Sequence, residues 1–449
     1  MPGPTRSRNK SHGWTNGALE QAIRLQRAGR VAEAAETYRR VLAVRPDSVE
    51  ALHFLGLAEH QEGRSEAGLE LMDRAIGLRP DYADAFVNRG NVLKLLGRLD
   101  EAEASFEEAL ALRRDDVNAL NGLATVRREQ GRLTEAAEGL RRAIAIRPDS
   151  AEAHQNLCNV LASQGDIEDA IDAQQRALVL RPGSPNLLRR LGAILYARGR
   201  IDEAAEAYRQ WLEVEPESVE AKHLYIGCTG GEAPERAPDQ LVRNVFDRMA
   251  GSFETVLARL EYRAPTLVTD AVRATVGDPP GAMDVLDAGC GTGLCGPLLR
   301  PHARRLIGVD LSARMLDHAR SRQLYDALVE AELSGYLREH PSQFDLVVSA
   351  DTLVYFGALE EPTQAAARAL RAGGHLIFTV ERSDEANAPD GHRLHPHGRY
   401  SHTERYLLEV LAEARFEDVA VTEVQLRKEA GLWVRGSLVV ARSPASHAA

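Results

Sequence analysis

Six glycines, Gly29, Gly63, Gly97, Gly131, Gly165 and Gly199, recur every 34 residues. Pro46, Pro80, Pro148, Pro182 and Pro216 keep the same period, with Arg114 where the remaining proline would stand. Six segments therefore align: 15–48, 49–82, 83–116, 117–150, 151–184 and 185–218. Each has a small residue twenty positions in: Ala34, Gly68, Ala102, Ala136, Ala170 and Ala204. Four residues later stand Tyr38, Met72, Phe106, Leu140, Gln174 and Tyr208. A glycine near the middle of each segment splits it into two helices, and the small residue lets the second approach the first. The proline stops the second helix. One such unit cannot bury its apolar face alone, whereas six stacked units can.

Period and pattern resemble the tetratricopeptide repeat. The resemblance implies an all-α solenoid with a curved surface lined by the first helix of each unit. Counting along those helices puts Asn88, Asn91, Asn121, Asn156 and Asn159 on the concave side. Side-chain amides both donate and accept, so they can hold the backbone of an extended peptide. The segments VNRGNVL and HQNLCNVL resemble the asparagine ladder in the repeats of O-linked sugar transferases. The expected partner is a protein or peptide in this groove. The alternative is that these amides satisfy helix ends or water.

After Ser218 the period is lost. Residues 219–226 read as a capping helix, and 228–238 (CTGGEAPERAP) as a linker rich in Gly and Pro. The expected domains are a disordered tail at 1–14, six repeats at 15–218, a capping helix and linker at 219–238, and a second domain at 239–449. In the second, helices are expected at 241–260, 264–276, 293–300, 315–328 and 361–370. Buried strands are expected at 285–288, 306–310, 344–350 and 375–380. That alternation implies a mostly parallel sheet with helices on both faces. Runs 419–426 and 433–441 read as an antiparallel hairpin at one edge.

VLDAGCGTG at 285–293 is an apolar run, an acid and three alternate glycines, and LIGVD at 306–310 is a second apolar run ending in an acid. Glycines let backbone approach a ligand, and a carboxylate about 20 residues on takes ribose hydroxyls. A dinucleotide loop and a methyl-donor loop both fit these residues. VLDAGCGTG, LIGVDLSARML, FDLVVSADTLVY and RAGGHLIF, in that order, resemble the S-adenosylmethionine-dependent methyltransferases. Their fold is the doubly wound seven-stranded, Rossmann-like α/β sheet. The full arrangement is similar to a bacterial class of repeat-containing methyltransferases, and RYSHTERYLLEVLAEARF also fits that class. The resemblance implies S-adenosylmethionine as cofactor. Gly289, Gly291 and Gly293 would approach its methionine part, Asp287 would orient the loop, and Asp310 would take the ribose hydroxyls. Leu311 and Met315 would flank the adenine, with Glu332 at its amino group and Glu330 as the alternative acid. FDRMAGSF at 246–253 and YRAP at 262–265 fall where the family has a lid.

Methyl transfer from a sulfonium requires alignment and the management of one proton. No catalytic triad is expected. DTLVY stands after the fourth strand in place of N/D-P-P-Y, which counts against methylation of an exocyclic base amine. Asp351, Thr352 and Tyr355 lie at the carboxyl end of that strand, where ligands gather; for Asp351 a helix N-cap is the competing role. His392, His395, His397 and His402 crowd one insertion with Arg399 and Tyr400. A metal site, a substrate pocket with Tyr400 or His402 as base, and a polar loop are the three readings; the H-x-x-H-x-H spacing is not specific to a metal, and no metal is expected. The catalytic candidates are Asp351, Tyr355, Tyr400 and His402.

A net charge of −11 argues against a general grip on nucleic acid. Four cysteines without a C-x-x-C spacing point to a reducing compartment. With no signal-peptide core and no long apolar run, the expected location is the cytoplasm, with no membrane span. The expectation is methyl transfer to an N, O or C acceptor, either a protein held by the repeats or a small molecule. The alternative from another class is an adaptor that binds S-adenosylmethionine without useful catalysis.

Overall fold

The computed structural model describes residues 5–277, 281–429 and 431–445. It divides into two compact units, Met1–Leu191 and Gly192–Ala449.

In the first unit the helices pack in consecutive pairs: α1 (Thr5–Arg27) with α2 (Val31–Val44), α3 (Val49–Gln61) with α4 (Ser65–Leu78), and α5 (Ala83–Leu95) with α6 (Leu99–Leu112). Next come α7 (Val117–Glu129) with α8 (Leu133–Ile146), and α9 (Ala151–Gln164) with α10 (Ile167–Leu180). Helices α11 (Pro185–Ala197), α12 (Ile201–Val214) and α13 (Val219–Thr229) continue the chain. The periodic glycines all have left-handed φ, between 73° and 89°, and each ends the first helix of a pair. The first helices touch one another along the stack. The small residues and the bulky ones four positions on are all buried. Phe106 shows the complementarity. Its ring fills the space left by Gly90 and Gly122, and a Cβ on Gly122 would overlap it. Gly122→Val should therefore cost about 1–3 kcal/mol by overpacking, read as a lower urea midpoint, and Phe106→Leu in the same chain should restore part of it. Equal midpoints for Gly122→Val and the parent chain would contradict this packing.

The expected disordered tail is helical from Thr5 onward, and residues 1–4 lie outside the described residues. No proline follows Pro4 in that segment to stop α1 from extending backwards.

The second unit carries a nine-stranded sheet. Its strands are β1 (Met283–Ala288), β2 (Ala303–Asp310), β3 (Ala327–Glu330), β4 (Phe344–Ser349) and β5 (Leu370–Arg382). Then follow β6 (His392–Leu394), β7 (Tyr400–His402), β8 (Glu417–Glu429) and β9 (Leu432–Arg442). Strands β3-β2-β1-β4-β5 are parallel in that order, and β9 pairs antiparallel with both β5 and β8. This is the doubly wound seven-stranded arrangement, with the β6–β7 hairpin added at the end of β5. Its helices are α14 (Asp239–Met249), α15 (Phe253–Arg259), α16 (Ala264–Val276), α17 (Gly296–Leu299), α18 (Ala313–Ser321), α19 (Leu333–Glu339), α20 (Glu360–Ala369) and α21 (Glu404–Glu413). Successive strand residues point to opposite faces, and both faces are covered. Thus Leu286 and Val347 join a core with Leu337, Ala366 and Leu407, while Val285 and Leu346 join one with Val268, Val272 and Leu299.

Three expected elements differ. The helix at 241–260 is broken by a 3-10 turn over Ala250–Ser252. The helix at 315–328 ends at Ser321, and Gln323, with φ 55°, turns the chain into β3. The 228–238 linker is tied down: Ala237 N–H donates to Tyr355 O at 2.7 Å, and Gly357 N–H to Glu235 O at 2.7 Å.

Candidate functional site

Winding reverses between β1 and β4, so the crevice lies outside the carboxyl ends of these strands. Asp287, next to last in β1, and Asp310, last in the neighbouring β2, lie there. The glycine loop is folded back onto β2 by Gly289 N–H and Cys290 N–H, which both donate to Val309 O at 2.8 and 3.0 Å. Gly289 has φ 78°, and a Cβ on it would overlap the Thr352 side chain, whose hydroxyl donates to Gly289 O at 3.2 Å. Asp310 accepts from Gly291 N–H and Ser312 N–H, each at 2.9 Å, so one carboxylate shapes both the loop and the start of α18.

Asp287 is buried and accepts from the Tyr325 hydroxyl at 2.6 Å. Burial pushes its carboxyl up to about 7; the Tyr325 hydrogen bond opposes the shift and the Asp310 charge adds to it. The folded chain keeps this proton up to about pH 7, whereas the ordinary value is 3.8. Between those values the folded state binds more protons than the unfolded one, so this group makes stability fall as pH rises. In Asp287→Asn that part of the slope between pH 4 and 7 should vanish in urea melts; an unchanged slope would assign it elsewhere. Burial also raises the Asp310 carboxyl, against its hydrogen bonds from Ser312 and Gly291.

A lid covers this end. On α14, Arg243 Nε donates to Leu311 O at 3.2 Å, and Asp247 accepts from the Ser312 hydroxyl at 2.6 Å. Phe246 meets Phe253 and Tyr355 edge-on, with ring centroids 5.9 and 5.5 Å apart. Leu311 packs with this group through Leu241 and Val242. Glu254 pairs with Arg322 at 2.6 Å, and Arg322 Nε also donates to Thr292 O at 2.7 Å. Gly251 sits in the turn between the two lid helices.

On the other side of the crevice, Asp351 has φ 60°, and its N–H donates to the Thr379 hydroxyl at 2.9 Å. Left-handed backbone at a non-glycine residue is a local cost that the surroundings must hold. Asp351 pairs with Arg427 at 2.6 Å through Oδ2, while Oδ1 is buried without a partner. Arg427 also binds Glu381, and it reaches Glu429 at 2.7 Å. Arg399 reaches Glu381 and Glu429, both at 2.6 Å. Burial alone would raise the Glu381 carboxyl, but Arg399, His397 and Arg427 hold it far below its ordinary range. For Asp351 burial wins over Arg427, and its carboxyl is raised.

The structure thus brings together Asp287, Gly289, Gly291, Gly293, Asp310, Asp351 and Tyr355. Other expected roles meet side chains already engaged in the fold. Asp351 caps no helix; the residue preceding the 3-10 turn is Thr352. Met315 is wholly buried. Glu332 is the N-cap of α19, accepting from Ser334 N–H at 2.9 Å and Gly335 N–H at 2.6 Å, and it pairs with Arg236. Tyr400 is wholly buried and donates to Pro234 O at 2.7 Å. His402 is wholly buried, with Nε2 3.1 Å from Gly357 O, and burial lowers its imidazole to about 3. The β6–β7 hairpin is seated on α13: His223 Nε2 donates to Gly398 O at 3.0 Å, and Gly227 leaves room for the His395 carbonyl. These side chains fasten the insertion. Among the described residues, no three His, Cys, Asp or Glu gather as metal ligands.

Tyr325, Arg322, Glu381 and Arg427 were absent from the sequence candidates. Glu381 carries the signal that marks Asp287 and Asp310, an acid near the end of an apolar strand. Arg427 has no such signal, because its partners Glu381 and Asp351 lie 46 and 76 positions away.

Residues 285–374 match the family described as a methyltransferase domain. Tetratricopeptide-repeat families match 19–83 and 156–219, 81–149, and 127–178. The chain is 38% identical over 100 residues to malonyl-(acyl-carrier protein) O-methyltransferase of Enterobacter lignolyticus (strain SCF1), a match covering 22% of this chain and 39% of that protein. It is 40% identical over 84 residues to methyltransferase-like protein 27 of Homo sapiens, covering 18% and 34%. The chain therefore spans less than half the length of these curated relatives. The solved structure of PilW, described as a widely conserved type IV pilus biogenesis factor, is 21% identical with a TM-score of 0.44, covering 46% of this chain and 96% of that one. The site lies in a methyltransferase domain. The chain as a whole joins tetratricopeptide repeats to that domain.

Proposed function

We propose that residues 239–449 transfer a methyl group from S-adenosylmethionine to an N, O or C nucleophile. The repeats of residues 15–218 recruit or present the acceptor or a protein partner. The observation that carries this reading is the pair of acids, buried Asp287 and half-buried Asp310, near the carboxyl ends of adjacent parallel strands beside the glycine loop. The fit to the cofactor rests on that loop, where a Cβ on Gly291 would come within 4.0 Å of the Phe253 ring. Asp310 would hold the ribose hydroxyls, and Gly289, Gly291 and Gly293 would let backbone reach the methionine part. Bound there, S-adenosylmethionine supplies an electrophilic methyl carbon.

The chain's own work is alignment, exclusion of water and control of one proton. Phe246, Phe253 and Tyr355 form the apolar cover. Asp351 offers Oδ1 to an N–H or O–H of the acceptor while Arg427 holds Oδ2. Among the described residues no helix is long and apolar enough to cross a membrane, and the cytoplasm is the proposed location. The test is titration calorimetry with S-adenosylmethionine, followed by labelled methyl transfer into lysate fractions. Saturable binding with label in protein or small molecules is expected. Absence of binding overturns the reading; binding without any demethylated cofactor would leave an adaptor.

A further inference from the structure

Tyr325 lies between α18 and β3, in a segment fastened by its neighbours. Arg322 Nε donates to Thr292 O at 2.7 Å, and Leu324 O accepts from Arg300 at 3.2 Å. Asp326 accepts from Leu306 N–H at 2.7 Å. Held on both sides, the Tyr325 side chain packs where three glycines leave room for it. A Cβ on Gly293, Gly296 or Gly308 would come within 3.0, 2.9 or 3.1 Å of its ring. Carbon atoms pack at about 3.5–4.0 Å, so none of the three positions has space for a side chain while the ring is there. Gly293 closes the glycine loop, Gly296 opens α17 and Gly308 lies in β2. From this seat the hydroxyl donates to Asp287 at 2.6 Å.

We propose that Tyr325 is a positioning residue for the cofactor: its ring sets the glycine loop, and its hydroxyl, by donating to Asp287, favours the carboxylate over the acid. This rests on the reading that the loop holds S-adenosylmethionine, and it adds to that site a residue acting through another. The cofactor carries a sulfonium and an ammonium, so a carboxylate beside it binds it better than a neutral acid does. A hydrogen bond donated to a carboxylate stabilises its charged form, and burial opposes it. Burial pushes Asp287 up to about 7 even with Tyr325 donating. Three other titratable groups face it: Asp310 ending β2, Cys290 in the loop and Cys295 before α17. Asp310 adds negative charge, while burial holds both thiols well above their ordinary range and so neutral. Burial also raises the Tyr325 hydroxyl, which keeps it a donor.

The experiment is calorimetry of S-adenosylmethionine binding to the full chain at pH 6 and pH 8.5. In Tyr325→Phe the ring stays and only the hydroxyl goes, so the thermal melt should change little. The Asp287 midpoint should move up by about one pH unit. Relative to the parent chain, affinity should then fall about tenfold at pH 6 and less than about twofold at pH 8.5. The cofactor's own amine titrates alike in both chains and cancels in the ratio. In Asp287→Asn the ratio between the two pH values should be the same with or without Tyr325→Phe. An equal loss at both pH values would make Tyr325 a packing residue and overturns the inference. No loss at either pH overturns it too, as does a ratio that still moves in Asp287→Asn. In each of these outcomes the parent chain binds the cofactor and the methyltransferase reading stands; no binding by the parent chain overturns both.

Discussion

Asp310→Ala should lower S-adenosylmethionine affinity by about 100-fold or more, as measured by calorimetry. Two effects combine. The variant loses the carboxylate proposed to hold the ribose hydroxyls, and hydrogen bonds to a charged group contribute about 1.5–3 kcal/mol each. It also loses the acceptor for Gly291 N–H and Ser312 N–H, so the glycine loop and the first turn of α18 are no longer tied together. Asp310→Asn separates the two. Its carbonyl oxygen can keep one of the backbone contacts, so the fold should melt near the parent temperature while binding remains weak. If Asp310→Ala bound the cofactor as the parent chain does, Asp310 would have no part in the site.

Arg427→Met should be the most destabilising single change in the second unit, by about 3–5 kcal/mol, because it breaks a buried ion cluster from one side. The Arg427 side chain is 5% exposed, and it touches Asp351, Glu381 and Glu429. Without it three carboxylates face Arg399 alone among the arginines of the cluster. The loss should appear as a large drop in the urea midpoint. Glu381→Gln added to Arg427→Met should recover part of it, since it removes one uncompensated charge. A midpoint equal to the parent's would mean the cluster is well solvated. The same network holds Asp351 in its left-handed backbone conformation, so turnover should fall in Arg427→Lys even where the fold survives. A lysine offers a point charge, not a fork that can grip three partners at once.

Both effects involve residues of different legibility. Asp310 stands out in the sequence because an acid closing an apolar run is a local pattern. The strand periodicity, the glycine loop and the 34-residue repeat are local in the same sense. Each follows from steric rules acting over a few residues, or from a unit repeated until chance is excluded. Glu332 and Met315 were assigned from the family resemblance; Glu332 caps a helix, and Met315 is buried. Tyr400 and His402 drew attention because their residue types can do acid-base chemistry. Their hydroxyl and imidazole are instead engaged with the carbonyls of Pro234 and Gly357. A cluster of reactive side chains in sequence does not reveal whether they face a cavity or fasten a loop.

The sequence by itself determined the repeat architecture, the doubly wound sheet and the glycine loop, because backbone sterics and apolar periodicity act locally and leave a readable pattern. Only the tertiary structure decided that Tyr325 reaches Asp287 and that Arg427 binds Asp351 and Glu381. It also seated the histidine-rich hairpin on α13. Those outcomes depend on groups far apart in the chain meeting where water is excluded. There, the cost of an unpaired charge or polar atom selects the partners, and no spacing along the chain encodes that selection.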